Sequence, residues 1–246
     1  MKYLKKTAVA ATFAITTIAS PALAQSFSAG IDLNYLGLSH SEGQVVGFGF
    51  TAAPEVWVEL QSQGGLIYGL RAFRLEADSA DPTTRYDNIV MQTIDLSIGK
   101  SFSMGSNTEG KVFGGMRFAK YYEQERGITN GLTVPKSYGL LGGIEIVQQM
   151  SNNLSLYGGS TAAIMFAPDY TDVSSTFRPD IIVNGTDLTF NTIDLNLGLR
   201  YKRQLANGGN WHAGLGLTSK LWNGVSDGDS ENISGYGFKL SFGMDF

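Results

Sequence analysis

The last twelve residues, GYGFKLSFGMDF (235 to 246), set the terms on which the rest of the chain is read. Taken alternately, Tyr236, Phe238, Leu240, Phe242, Met244 and Phe246 form one row, and Gly237, Lys239, Ser241, Gly243 and Asp245 the other. A period of two marks a strand whose faces meet different surroundings. A soluble sandwich would also bury one face and wet the other. Repetition, strand length and the opposite end of the chain must decide.

That opposite end reads MKYLKKTAVAATFAITTIASPALAQ, in a chain of 246 residues. Lys2, Lys5 and Lys6 precede a short apolar stretch, and Ala22-Leu23-Ala24 follows Pro21. This is the layout of a secretory signal peptide over residues 1 to 24, cut after Ala24, with 25 to 246 as one domain. The apolar stretch is too short for a membrane anchor. Losing three lysines makes the mature chain more acidic than the net −4 of the whole, and it has no basic cluster suited to nucleic acid. There is no cysteine, which excludes a small disulfide-stapled scaffold despite export. Glycine is abundant (31) and proline scarce (6), as closely packed strands require.

Alternation then repeats along the mature chain. Residues 26 to 38 set Phe27, Ala29, Ile31, Leu33 and Tyr35 against Ser28, Gly30, Asp32 and Asn34. Residues 45 to 61 hold dyad register longer than the usual soluble strand, with Val56, Val58 and Leu60 opposing Glu55, Trp57 and Glu59. Residues 65 to 77 are ambiguous, because Ile67 and Phe73 share a face with Arg71. Residues 89 to 103 and 110 to 123 oppose Ile94, Leu96, Met116 and Phe118 to Thr93, Asp95, Gly115 and Arg117. Two further strands put Leu140, Ile144, Leu156 and Ile164 opposite Gly143, Glu145, Tyr157 and Gly159. Ile193 to Tyr201 and Trp211 to Leu221 repeat the division, and the terminal stretch makes about ten strands, with eight or twelve as the neighbouring even counts.

Short polar turns, QSQGG (61 to 65), MGSNTEG (104 to 110), MSNN (150 to 153) and LANGGN (205 to 210), alternate with longer segments at 77 to 88, 124 to 136, 167 to 187 and 223 to 232. In hydrocarbon every backbone N–H and C=O must be paired, which for strands demands a closed barrel. The expectation is an all-β, transmembrane, antiparallel up-and-down barrel in a bacterial outer membrane, with short turns periplasmic and long loops external. Tyr35, Tyr122, Tyr138, Tyr201, Trp211, Tyr236 and Phe246 sit near strand ends, where aromatic girdles belong. Surrounding lipid is the expected partner. Phe246 resembles the C-terminal signal read by the barrel assembly machinery.

The inward row collects Asp32, Glu55, Glu59, Asp95, Glu145, Asp194 and Asp245 with Arg71, Arg117, Arg200, Lys202, Lys220 and Lys239. Opposite charges in a low-dielectric interior pair to offset their desolvation. A barrel of about ten strands is narrow enough for such side chains to fill, so they either line a thin aqueous channel or plug it. Near balance of sign predicts weak ion selectivity in an open channel.

Enzymatic chemistry lacks its parts. Only His40 and His212 exist, one in the first external loop and the other at the periplasmic rim, so they cannot share a site. Both read as solvated imidazoles, and no metal or cofactor is expected. The acids Asp169, Asp172 and Asp180 in the longest loop could bind a cation, though a solvated loop is the more ordinary reading.

Several stretches resemble the pore-forming outer-membrane protein family typified by the Legionella major outer membrane protein. They are VFGGMRFAKY (112 to 121), SYGLLGGIEIVQQMSNNLSLYGGSTAAIMF (137 to 166), TIDLNLGLRYKRQL (192 to 205), WHAGLGLTSKLWNG (211 to 224) and APEVWVELQSQGGLIYGLRAF (53 to 73). The resemblance implies a porin-like channel for ions and small solutes. The Legionella protein is cysteine-rich and this chain has no cysteine, so disulfide-linked assembly does not carry over. The runner-up to a pore is a closed barrel acting as a surface adhesin or structural envelope protein through its external loops.

Overall fold

A strand that is apolar on one face still leaves its edge N–H and C=O groups to be paired, and this chain solves that by closure. The computed structural model describes residues 24–40, 49–79, 86–125, 131–174, 181–206, 208–225 and 232–246. They form ten antiparallel strands: β1 (Ala24–His40), β2 (Thr51–Ser62), β3 (Leu66–Asp78), β4 (Tyr86–Ser103), β5 (Thr108–Glu125), β6 (Thr133–Gln149), β7 (Leu154–Ser174), β8 (Ile181–Gln204), β9 (Asn210–Asn223) and β10 (Asn232–Asp245). Each pairs with its neighbours in sequence, and β1 closes on β10 into a barrel. The closing register sets Leu33 against Leu240 and Asp32 against Ser241. Reciprocal backbone bonds between Phe27 and Phe246, at 3.0 and 2.7 Å, seal its end. The expected signal peptide falls outside the described residues, apart from Ala24.

Short turns join β2–β3, β4–β5, β6–β7 and β8–β9 at one end. Gly65, Gly105 and Gly208 take positive φ (77°, 112° and 90°) in three of them, a conformation open to residues without Cβ. The longer connections gather at the other end, here called the long-connection end.

Two expectations need correction, and one ambiguity is resolved. The second strand begins at Thr51; Gly49 and Phe50 are outside the ladder, and 41–48 lie outside the described residues. The segment 167 to 187 is mostly hairpin, because β7 and β8 stay paired as far as Ser174 and Ile181. Its hydrophobic aperiodicity reflects strands that have left the apolar belt, not a loop. The ladder skips only Pro168, which has no N–H to give, and Asp187, with φ at 64°. The ambiguous β3 has a definite facing. Tyr68 and Leu70 point outward, while Ile67, Arg71 and Phe73 point into the barrel.

The outward face carries Ile31, Leu33, Leu70, Leu96, Phe118, Leu140, Leu197, Leu215 and Phe242, all exposed, with Leu140 at 71%. Aromatic residues edge this belt. Tyr35 stacks on Phe50 at 5.4 Å, and Phe118 pairs in register with Tyr138 at one margin. Trp211 contacts Tyr201 and Phe242 at 5.7 and 6.2 Å at the other. A strand run such as 236 to 246, at about 3.3 Å per residue and tilted about 40°, gives a belt about 25 Å tall.

Candidate functional site

The barrel interior is where residue chemistry concentrates, and it has three levels. The middle level is ionic. Arg117 donates to Asp95 through Nε (2.8 Å) and Nη2 (2.7 Å), to Asp194 at 2.6 Å, and to Thr192 Oγ1 at 2.7 Å. Asp194 continues to Lys220 at 3.5 Å, and Lys220 to Glu55 at 3.0 Å. Glu55 meets Arg71 at 3.3 Å, Arg71 meets Glu145 at 3.4 Å, and Lys111 joins Glu145 (2.8 Å) to Glu59 (2.6 Å). Signs alternate throughout, and the links Arg117–Asp194, Lys220–Glu55 and Arg71–Glu145 cross the bore between non-adjacent strands. The forked guanidinium geometry makes Arg117, 1% exposed, the most fully engaged cation of the set.

Not every inward charge joins this chain. Lys239 pairs separately with Asp32 at 3.0 Å. Lys202, half-exposed at the short-turn rim, pairs with Asp245 at 2.7 Å. Arg200 instead lies over the Tyr157 ring at 5.0 Å, and neither its Nε nor the Tyr157 hydroxyl has a hydrogen-bond partner among the described residues. Lys111 was not among the expected inward charges, although it has the same odd parity as Arg117. Reading that strand's alternation back to its first residues would have found it.

Toward the short turns lies a polar cavity of about 130 Å³, lined by Asp32, Trp57, Tyr157, Arg200, His212 and Lys239 among others. It has room for several waters or a small polar solute. His212 is not the solvated rim imidazole expected. It is buried, stacked on Trp57 at 5.9 Å, with Nδ1 3.9 Å from Asp245. His40 ends β1 beside Ile233, at the opposite end of the barrel. Bulky inward rings need glycine opposite them: a Cβ on Gly198 or Gly216 would come within 2.8 or 2.9 Å of the Tyr157 hydroxyl. Beside Trp57, Arg71, Lys111 and Phe113 the free space shrinks to about 20 Å³, room for about one water.

Toward the long connections the interior turns apolar. Leu36, Phe73, Leu75, Ile89, Met91, Tyr121, Val134, Met165, Phe190, Trp222 and Ile233 form one buried cluster. Trp222, 1% exposed, stacks on Phe190 at 5.7 Å and meets Tyr121 at 6.0 Å. Lys220 lies 4.2 Å over the Phe73 ring, joining the cluster to the ionic level. This cluster was missed in the sequence, where the hints were Phe73 sharing a face with Arg71 and Tyr121 sharing one with Arg117.

An exterior of exposed Leu, Ile and Phe is the reverse of a soluble sandwich. Moving one such side chain from water to hydrocarbon gains about 1.5–3 kcal/mol, and the belt repeats this on every strand. With the backbone closed and charges inside, the chain is a transmembrane β-barrel of the outer-membrane type.

No family model matches the chain, and no curated protein matches it in sequence. Among solved structures it is similar to the outer membrane protease OmpT from Escherichia coli, at 10% identity over 90% of this chain and 96% of that one, with a TM-score of 0.48. It is also similar to the Pseudomonas putida toluene transporter TodX (10% identity, 92% and 90% covered, TM-score 0.33). A third is Ail, the attachment invasion locus protein of Yersinia pestis (12%, 90% and 97%, TM-score 0.29).

Proposed function

We propose that the protein is a closed barrel of a bacterial outer membrane, delivered by a cleaved signal peptide, which works at the cell surface as an adhesin or structural envelope protein. The observation that carries this reading is the apolar cluster around Trp222, Phe190 and Met165, set across the bore at the long-connection end. A solute passing through would have to part tightly packed side chains and then the crossed ion pairs beneath them. In this reading Asp32, Glu55, Glu59, Arg71, Asp95, Arg117, Glu145, Asp194, Lys220 and Lys239 plug the barrel, and Arg200 and Lys202 border its periplasmic vestibule. Phe246, exposed beside Phe27 on the closing seam, serves as the assembly signal.

The second reading is the weakly selective pore implied by the resemblance to the Legionella major outer membrane protein family. The polar cavity of about 130 Å³ favours it, as a half-channel that a shift of the apolar cluster would complete. Conductance of the purified, folded protein in a planar bilayer separates the two. Silence from a demonstrably folded barrel is expected. Discrete steps that persist over a range of voltages would overturn closure and establish the pore.

A further inference from the structure

Outside the barrel, just past the aromatic margin at the long-connection end, charge is one-sided. Ladder partners set Arg74, Gln92 and Lys120 on one outward rung of β3 to β5. Lys136 of β6 borders the same groove as Lys120. Across the barrel, the ladder of β8 to β10 sets Asn191, Asn223 and Asn232 on one rung, with Ser234 nearby. That wall is neutral there; the β4–β6 wall is cationic.

The groove itself follows from the strand chemistry. Pro135 has no N–H, and the β5–β6 register slips between Ala119 and Tyr121 beside it. The opening holds about 430 Å³. Its floor is the rung Ile94, Phe118 and Tyr138, all outward and exposed within the apolar belt. Its lip, one rung farther from the belt's centre, is Gln92 and Lys120, with Lys136 alongside. Arg74 is neutralised by Glu76 at 2.6 Å. Lys120 and Lys136 make no ion pair among the described residues, although Asp169 is the ladder partner of Lys136.

A greasy floor in the lipid belt with two ammonium groups at its upper edge, neither in an ion pair among the described residues and with Asp169 beside Lys136 as the one ladder-partner acid, suits one kind of occupant. Its chain must be apolar, and its anionic group must sit at headgroup depth. We propose that the groove over β4 to β6 binds one phosphate-bearing lipid of the adjoining leaflet, with the phosphate between Lys120 and Lys136 and an acyl chain across Ile94, Phe118 and Tyr138. The lysines supply charge without fixed geometry, so the site selects anionic headgroups and not one particular sugar or alcohol. Tyr138 belongs at this depth, its ring in the apolar layer and its hydroxyl toward the headgroups.

Native mass spectrometry of the folded protein in non-ionic detergent tests this, using dioleoyl phosphatidic acid, dioleoylglycerol and inorganic phosphate as probes. The wild type should retain one phosphatidic acid, saturably, and neither the phosphate-free lipid nor free phosphate. Lys120→Gln with Lys136→Gln should weaken retention about thirtyfold, at the usual worth of a basic residue near a lipid surface. The Lys120→Arg, Lys136→Arg pair should keep it. Equal retention by wild type and the Gln pair, loss in the Arg pair as large as in the Gln pair, or retention of dioleoylglycerol to the same extent would overturn the site. So would free phosphate bound as well as the lipid, which would indicate an anion site without a lipid. Should the Gln pair fail to fold, the wild type still decides: a stoichiometry of one that falls with added salt supports the site, and uptake without saturation overturns it.

Discussion

Near the short turns the barrel is apolar outside and charged inside; near the long connections the two faces exchange. β3 shows the change within one strand. Tyr68 and Leu70 point out with Arg71 inside, and a few residues on Arg74 and Glu76 point out with Phe73, Leu75 and Ala77 inside. β5 does the same, from outward Met116 and Phe118 with inward Arg117 to outward Lys120 with inward Ala119 and Tyr121. The same strands run through both halves, and β3 and β5 keep their period of two across the change. What differs is the medium outside, lipid in one half and water in the other, and the side chains follow it. The first half is a membrane protein and the second a soluble barrel core on the same strands.

The comparison stands only if the second half is packed like a soluble core. Trp222→Ala removes the largest fully buried side chain of that half and should cost about 3–5 kcal/mol. Urea unfolding of the barrel in lipid vesicles measures it, with Trp57 and Trp211 left as fluorescent reporters. A cost below about 1 kcal/mol would mean that the cluster is loose and the interior there is open.

The first half is probed from its outer face. Leu197, 53% exposed at mid-belt, should cost about 2–4 kcal/mol when replaced by Arg, whereas Arg at the neighbouring inward Asn196 meets the polar cavity and should cost far less. The same vesicle unfolding assay compares the two directly. Equal costs would break the inside–outside assignment. Next in size is Gly216→Val, whose Cβ would lie 2.5 Å from the Leu197 carbonyl oxygen and 2.9 Å from the Tyr157 hydroxyl. Relieving both contacts, the nearer of them with backbone, should cost about 1–3 kcal/mol, and a neutral outcome would mean that the β8–β9 ladder and the Tyr157 ring both have room to give.

The membrane half was legible in the sequence because lipid tolerates so little. Ile193, Leu195, Leu197 and Leu199 have to be apolar on one face, and no compensating contact relaxes that demand. The inward charges were legible by parity for the same reason. Which of them pair was not, since the link from Arg71 to Glu145 joins residues far apart in sequence and depends on the curvature of the closed sheet. The water-facing half was harder to read. There Leu36, Met91 and Met165 are inward, and the outward positions carry anything polar, so alternation is diluted and reverses in sense. The hairpin ends of β7 and β8 accordingly looked like a loop, and a buried histidine at the far end looked like a solvated one.

The smallest effect locates the boundary between the halves. Arg74 and Glu76 form an ion pair at 2.6 Å, with side chains 54% and 53% exposed on the outward face. If this level stands in water, Arg74→Ala should cost no more than about 1 kcal/mol, because such a pair gains little in high dielectric and loses side-chain freedom. Unfolding in vesicles at low and high salt would check both the size and the screening. A cost of several kcal/mol, insensitive to salt, would put the pair in a low-dielectric layer, where losing one partner strands the other charge. The lipid margin would then have to lie above Arg74, farther along β3 than Ala72. The exchange of faces between Arg71 and Phe73 would in that case have a cause other than the end of the membrane.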